Sequence, residues 1–165
     1  MDLKTIAISA ALIAGIGALL FWGRASGTSA APQGGAQSPL TASELQYDFG
    51  TISMKDGLVS RTFTIRNGSD AEVVLSDIST SCMCTNAYLL AGDGVKKGPF
   101  GMPGHGAPSS KVGERIPSGE SRSLEVVYDP NAHGPAGVGS IDRFIYLADE
   151  TGGQLTLEIK ANVTP

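Results

Sequence analysis

The sequence predicts an antiparallel β-sandwich that follows a single apolar segment at the N-terminus. Apolar and polar residues alternate with a period of two in several short stretches, as in strands with one buried face. Clusters of turn residues separate these stretches, and the chain holds 22 Gly and 9 Pro. No stretch after residue 25 shows a convincing helical period, so six or seven short strands account for the domain.

The clearest strand is predicted near the C-terminus, at 155–163. Its apolar positions Leu155, Leu157, Ile159, Ala161 and Val163 alternate with polar ones, so they are expected to share one buried face. The same argument places other apolar residues on common faces: Leu45 with Tyr47 and Phe49, Val59 with Phe63 and Ile65 around an interrupting Arg61, and Leu124 with Val126 and Tyr128. The stretches "EVVLSDI" and "RFIYLAD" are apolar enough for strands covered on both faces.

The first 24 residues are expected to be a membrane anchor or signal segment. Residues 5–23 carry no charge, and as a helix they would span about 28 Å, close to the hydrocarbon thickness of a bilayer. This run is longer than the apolar core of a cleaved signal peptide, which favours a signal anchor with the domain outside the cytoplasm. A cleaved peptide, cut within "SGTSAA", is the alternative.

Two further segments differ from the strands in composition. Residues 25–43 are small, polar and rich in helix and strand breakers, which predicts a flexible linker. The domain is then expected over 44–165. Within it, residues 91–116 are rich in Gly and Pro and predict one long loop, which carries Met102 and His105.

Composition excludes some classes of function. The formal net charge is −4 and no basic block is present, so the sequence does not predict a nucleic-acid-binding protein. The two histidines and the absence of a Ser-His-Asp order argue against a hydrolase. The expectation is therefore a protein that is not an enzyme.

Four stretches follow one another in an order seen in a known family: "YDFGTISMKDG", "TFTIRNGSDAEVVLSDISTSCMCT", "IPSGESRSLEVVYDP" and "LTLEIKANV". Over about residues 45–163 the chain resembles the DUF1573 family of exported bacterial domains, related to ASH and MSP-type domains. The most specific element is Ser81-Cys82-x-Cys84-Thr85, in which Met83 stands where the family usually has Gly. The resemblance implies an exported immunoglobulin-like sandwich, and it implies no activity. Together with the anchor expected at 5–23, it predicts a single-pass membrane protein with its domain in the periplasm.

The pair Cys82 and Cys84 supports several kinds of chemistry. In an extended strand both side chains would lie on one face with their Cα atoms about 6.6 Å apart, so a disulfide would need a bent backbone and is the reading that the spacing least supports. Two thiolates on one face fit a soft metal such as Cu(I). Further ligands would then come from Met102, His105 or His133, all in Gly/Pro-rich stretches. A redox-active thiol pair and a purely structural pair stay open.

The sequence thus predicts a membrane-tethered binding module exposed in the cell envelope, with copper bound through the Cys-x-Cys pair as the leading hypothesis. One alternative is a protein-interaction or scaffold domain that holds an envelope protein partner and has structural cysteines. The other is a thiol–disulfide redox protein, although the chain lacks the βαβ context in which such motifs usually lie.

Overall fold

The computed structural model describes residues 36–165. These residues form eleven strands, which in chain order are β1 (Ala36–Gln37), β2 (Leu40–Ala42), β3 (Gln46–Ser53), β4 (Val59–Asn67), β5 (Val73–Thr80), β6 (Thr85–Leu90), β7 (Lys96–Phe100), β8 (Lys111–Ile116), β9 (Ser121–Tyr128), β10 (Gly139–Asp149) and β11 (Gly153–Thr164). Two short 3-10 helices span Met54–Asp56 and Gly134–Gly137.

The strands make two sheets, which confirms the predicted β-sandwich. One sheet has the order β1-β11-β10-β5-β8, with β3 also paired to β11, and the other has the order β2-β4-β9-β6-β7. The antiparallel prediction is wrong at one edge, because β1 and β3 both run parallel to β11. The chain leaves this edge after β1, pairs with β4 in the opposite sheet as β2, and returns as β3. Such a switch between sheets leaves no mark on the alternation of side chains.

The alternation correctly identifies most of the core. All five predicted apolar positions of β11 are buried, as are Leu124, Val126 and Tyr128 of β9. Arg61, which interrupts the apolar face of β4, lies 4.2 Å from the centroid of the Tyr47 ring and pairs with Glu44 at 2.6 Å. Leu45 is an exception, because it precedes β3 and is 59% exposed.

The stretch Asp48-Phe49-Gly50 forms an irregularity in β3. The register between β3 and β11 shifts here, and Gly50 has a φ of +69°, which a residue with a Cβ rarely adopts. The Asp48 carboxylate accepts the Gly50 N–H at 2.7 Å. Phe49 packs edge-on against Tyr47 with 4.9 Å between ring centroids, so this stretch bends the strand and packs it.

The structure differs from the predicted loop at 91–116, because this segment holds all of β7 and β8. Gly98 and Pro99 suit β7 because it pairs on one side only, with β6, and Pro is tolerated on an edge strand. The remaining connection is 101–110. The structure also places β1 and β2 inside the predicted linker 25–43, where Ser38 is buried and donates a hydrogen bond to Asp149 at 2.6 Å.

The predicted anchor at 5–23 lies outside the described residues. Over residues 36–165, no helix is long and apolar enough to cross a membrane.

Candidate functional site

The two cysteines lie in the short link between β5 and β6, which carries the chain from one sheet to the other. Hydrogen bonds hold both ends of this link. Ser81 N–H donates to the Phe144 carbonyl at 2.9 Å, and Ser81 Oγ accepts the Phe144 N–H at 2.9 Å. At the other end, Asp129 N–H donates to the Cys84 carbonyl at 2.9 Å. The link is thereby attached to β10 and to the end of β9.

Cys82 and Cys84 form a disulfide with their Cα atoms 5.2 Å apart. The expectation that the spacing works against such a bridge was wrong, because residues 82–84 are not extended. Thr85 N–H donates to the Cys82 carbonyl at 3.1 Å, which closes a turn. The hydroxyl of Thr80 lies 2.9 Å from the Cys82 carbonyl and supports the same turn. A turn brings the Cα atoms within the range that a disulfide requires.

His133 reaches the bridge from the connection between β9 and β10. Its Nε2 lies 3.2 Å from Cys82 Sγ, and because a bridged sulfur carries no proton, the ring nitrogen is the donor. The connection is shaped by Asp129, whose carboxylate accepts the Asn131 N–H at 2.8 Å, and by Asn131, whose side chain donates to the Met54 carbonyl at 2.8 Å. The two sulfurs and a ring nitrogen of His133 all lie within 4.8 Å of one another.

Arg143 approaches the bridge from β10 and is not among the site residues predicted from the sequence. Its Nε donates to Cys84 Sγ at 3.2 Å, while Nη1 donates to the Asp142 carbonyl at 2.8 Å. A signal was present in the sequence. Arg143 is in phase with Ile141, Ile145 and Leu147, which are buried, so the strand turns a cation toward the core. Such a cation needs an acceptor nearby.

Tyr128 is buried close to this site. Burial raises the pKa of the Tyr128 phenol, the charge of Arg143 opposes this rise, and the charge of Asp129 adds to it. Arg143, whose Nε contacts Cys84 Sγ, lies near the end of β9, where Tyr128 pairs with Thr85. One side of the bridge is thus protein interior with a fixed positive charge, and the other side is the exposed imidazole of His133.

The structure does not bring His105 to the cysteine pair. His105 lies in the connection between β7 and β8, where it is exposed and its N–H donates to the Met102 carbonyl at 3.2 Å. The cluster that the structure assembles from residues 36–165 has His133 as its histidine. Met102 is half-buried at the start of the same turn as His105, and its role as a ligand stays a prediction.

This arrangement has two chemical states. With the bridge closed, neither sulfur is a thiolate, and thiolates are the form that binds metals and attacks disulfides. With the bridge reduced, two sulfur donors and one imidazole would lie side by side. The cluster can therefore hold a soft metal in one redox state and is closed to it in the other.

Comparisons with known proteins agree with this architecture. The family model "Protein of unknown function (DUF1573)" matches residues 40–98. No curated protein matches the sequence.

Several solved structures are similar. A protein of unknown function from Porphyromonas gingivalis W83 is 17% identical with a TM-score of 0.53, over 82% of this chain and 50% of that one. A family 123 glycoside hydrolase from Clostridium perfringens is 9% identical with a TM-score of 0.50, over 72% of this chain and 22% of that one. The ASH/PapD-like domain 7 of human CEP192 is 11% identical with a TM-score of 0.47, over 83% of this chain and 95% of that one.

The chain spans half the length of the Porphyromonas protein and less than a quarter of the Clostridium hydrolase. At these identities the two likenesses show a shared fold. The matched segment 40–98 runs from β2 to β7 and contains the cysteine bridge. The resemblance seen in the sequence is thus confirmed over residues 40–98, which match the DUF1573 family model.

Proposed function

We propose that this chain is a membrane-tethered, non-enzymatic binding module exposed in the cell envelope, and that it binds Cu(I) through Cys82, Cys84 and His133 when the bridge is reduced. The observation that carries the proposal is the approach of the two sulfurs and an imidazole nitrogen to within 4.8 Å of one another. Three side chains from two separate connections converge there, so one ion could contact all three.

The donor set favours Cu(I) over other metals. Thiolate sulfur selects soft ions, and imidazole is a good ligand for copper. Structural zinc sites take four ligands in a tetrahedron. Among the His, Cys, Asp and Glu side chains of residues 36–165, this cluster brings together three donors. Three donors suit a low-coordinate Cu(I) ion better.

Charge also supports the assignment. Two thiolates, one Cu(I) ion and a neutral imidazole carry a net charge of −1. Arg143 is positively charged, and its Nε already contacts Cys84 Sγ. A charge-assisted hydrogen bond to a thiolate is stronger than one to a neutral sulfur. The site would therefore be close to neutral when loaded, which limits the cost of holding it in a half-buried position.

The envelope location rests on two observations. The uncharged run 5–23 is long enough to anchor the chain, and a disulfide between the only two cysteines persists far more readily outside the cytosol than inside it. Capture of an envelope protein partner by this domain is part of the same proposal, and the cysteine site does not depend on it.

The test is a Cu(I) competition titration with a chromophoric chelator, without oxygen, on the full-length chain reduced by a phosphine. We expect one Cu(I) per chain for the reduced protein and none for the bridged protein. Cys82→Ser and Cys84→Ser should each abolish tight binding. Met83→Leu is the matched control, because Met83 lies between the cysteines and is 50% exposed.

Two outcomes would contradict the copper proposal. One is failure of the reduced chain to bind Cu(I) when thiol titration finds two free thiols. The other is unchanged affinity in Cys82→Ser.

A second candidate function is thiol–disulfide exchange. The observation that favours it is that the two sulfurs of the bridge contact different side chains, His133 at Cys82 and Arg143 at Cys84.

A further inference from the structure

The two sulfur atoms of the bridge differ in their access to solvent. Cys84 is 1% exposed and belongs to the core, whereas Cys82 is half-buried and only packs against the core. Cys82 Sγ has the exposed imidazole of His133 beside it, at 3.2 Å. A thiol from solution can therefore approach one sulfur of the bridge and not the other.

The hydrogen bonds to the two sulfur atoms also differ, and they favour negative charge on Cys84 Sγ over Cys82 Sγ. Cys84 Sγ accepts from Arg143 Nε at 3.2 Å and lies 3.7 Å from the Thr85 hydroxyl. Cys82 Sγ accepts from the neutral Cys84 N–H at 3.3 Å and from His133. Arg143 is positively charged at every physiological pH, so negative charge that develops on Cys84 Sγ meets a partner already in place.

We propose that this domain exchanges its disulfide with an external alkyl thiol, that Cys82 is the sulfur attacked, and that Cys84 is the leaving thiolate, stabilised by Arg143. The inference goes beyond copper binding, because it concerns how the bridge opens and closes. It also explains why a core-facing position of β10 holds an arginine.

The reaction balances in two steps. An external thiolate attacks Cys82 Sγ, a mixed disulfide forms, and the bond between Cys82 and Cys84 breaks with its electron pair on Cys84 Sγ. A second external thiolate then attacks the external sulfur of the mixed disulfide and releases Cys82 as a thiolate. Two external thiols are oxidised to one disulfide, and the protein disulfide is reduced to two thiols. The reverse sequence closes the bridge, with Cys82 attacking an external disulfide and Cys84 resolving the adduct.

The direction of attack can be read from where the first adduct forms. The bridged full-length chain is treated with glutathione in the presence of a metal chelator, quenched early with acid and mapped by mass spectrometry. We expect the adduct on Cys82 to exceed that on Cys84 by at least about tenfold, because attack depends on access and on the leaving thiol. A cysteine-containing decapeptide is tested in parallel, and the thiol that reacts faster indicates whether the natural reductant is a small molecule or a protein. Equal adducts, or an excess on Cys84, would overturn the proposal.

Two sets of variants guard against an adduct that migrates between the sulfurs. In Cys84→Ser the remaining Cys82 should react quickly with iodoacetamide, while in Cys82→Ser the remaining Cys84 should react at least about tenfold more slowly. Arg143→Gln should slow bridge opening by about tenfold without moving the adduct, and Arg143→Lys should recover part of the rate. An unchanged opening rate in Arg143→Gln, with the fold intact by circular dichroism, would contradict the role given to Arg143.

Failure of this inference and failure of copper binding are distinguishable. Exchange is measured on the bridged chain without copper, whereas Cu(I) binding is measured after reduction by a phosphine, which needs no thiol exchange. Either result can therefore be negative while the other is positive.

Discussion

Glu114 and Arg122 join the two sheets, with Glu114 Oε1 accepting the Arg122 Nε–H at 2.7 Å. Glu114 belongs to β8 and Arg122 to β9, and neither side chain is more than 9% exposed. Burial raises the pKa of the Glu114 carboxyl, but hydrogen bonds from Arg122, the Gly92 N–H and Lys97 outweigh it and the pKa is lowered. An ionised carboxylate therefore holds β8 of one sheet against β7 and β9 of the other.

Glu114→Gln should destabilise the fold by about 3 kcal/mol, because it leaves the Arg122 guanidinium buried without its main partner. The measurement is the free energy of unfolding from urea titration of the full-length chain. Replacing both residues together, as Glu114→Gln with Arg122→Leu, should recover part of the loss, since the charges that then lack a partner, on Lys97 and Glu120, are the more exposed ones.

Glu120→Gln is the matched control for this ion pair. Glu120 also contacts Arg122, at 3.0 Å, but its side chain is 55% exposed. Exposed pairs contribute about 0 to 1 kcal/mol, so Glu120→Gln should change stability little. Equal effects of Glu120→Gln and Glu114→Gln would contradict the structural role given to Glu114.

Asp149 should make stability depend on acid pH. Burial raises the pKa of the Asp149 carboxyl. Four hydrogen bonds outweigh this effect, so the pKa is lowered; they come from the hydroxyls of Ser38 and Thr151 and from the N–H groups of Gly153 and Thr151. A folded pKa below the unfolded value means that the contribution is present above about pH 3.9 and is lost as pH falls through the lower folded value. Asp149→Asn should cost about 2 kcal/mol at pH 7.

The check for Asp149 is the difference in unfolding free energy between wild type and Asp149→Asn, measured from pH 7 down to pH 2. The difference should shrink toward the acid end. The comparison is necessary because the pKa values of Asp77 and Glu114 are also lowered and act with the same sign. A difference that stays constant with pH would show that the Asp149 charge does not matter.

His133→Ala should weaken Cu(I) binding by about tenfold, which is about 1.4 kcal/mol, because one of three donors is removed. His105→Ala is the matched control, since His105 is the other histidine of the chain, is also exposed, and is not part of the cluster. Affinities come from the same chelator competition. An equal loss in both variants would mean that the third donor has been assigned wrongly.

Reduction of the bridge should leave the sandwich folded. The bridge encloses only Met83, and closing so short a loop stabilises a protein by about 1 to 2 kcal/mol in the chain-entropy description. With a phosphine reductant, the far-UV circular dichroism should be unchanged and the unfolding free energy should fall by no more than that. A loss above about 4 kcal/mol, or unfolding, would mark the bridge as a structural cross-link rather than one that opens in use.

The sequence was informative where a side chain's position depends on its neighbours in the same strand. The core faces of β9 and β11 follow from a period of two. The alternation of apolar and polar residues does not indicate which strands pair, so it does not predict the parallel pairing of β1 and β3 with β11. Gly98 and Pro99 concealed β7, because an edge strand tolerates residues that a central strand does not.

The candidate site was foreseen in part for the same reason. Residue type predicts five ligands, which are Cys82, Cys84, Met102, His105 and His133, and the structure brings Cys82, Cys84 and His133 together. An extended backbone at residues 82–84 would work against the bridge, whereas hydrogen bonds from Thr80 and Thr85 hold these residues in a turn. Arg143 contacts Cys84 across 59 positions of the chain, and only its place among core-facing residues hinted at such a partner.

The pairing of β1 with the start of β11 lies at a different level of the sheet from the cysteine bridge. Ala36 lies opposite Gly153, whereas Arg143, which touches the bridge, lies opposite Ile159. Six residues of strand separate these two levels, a distance of about 20 Å. The start of β1 therefore lies about 20 Å along the sheet from the level at which Arg143 contacts the bridge. Opening of the bridge, or binding of a metal there, therefore requires no change in the pairing of β1.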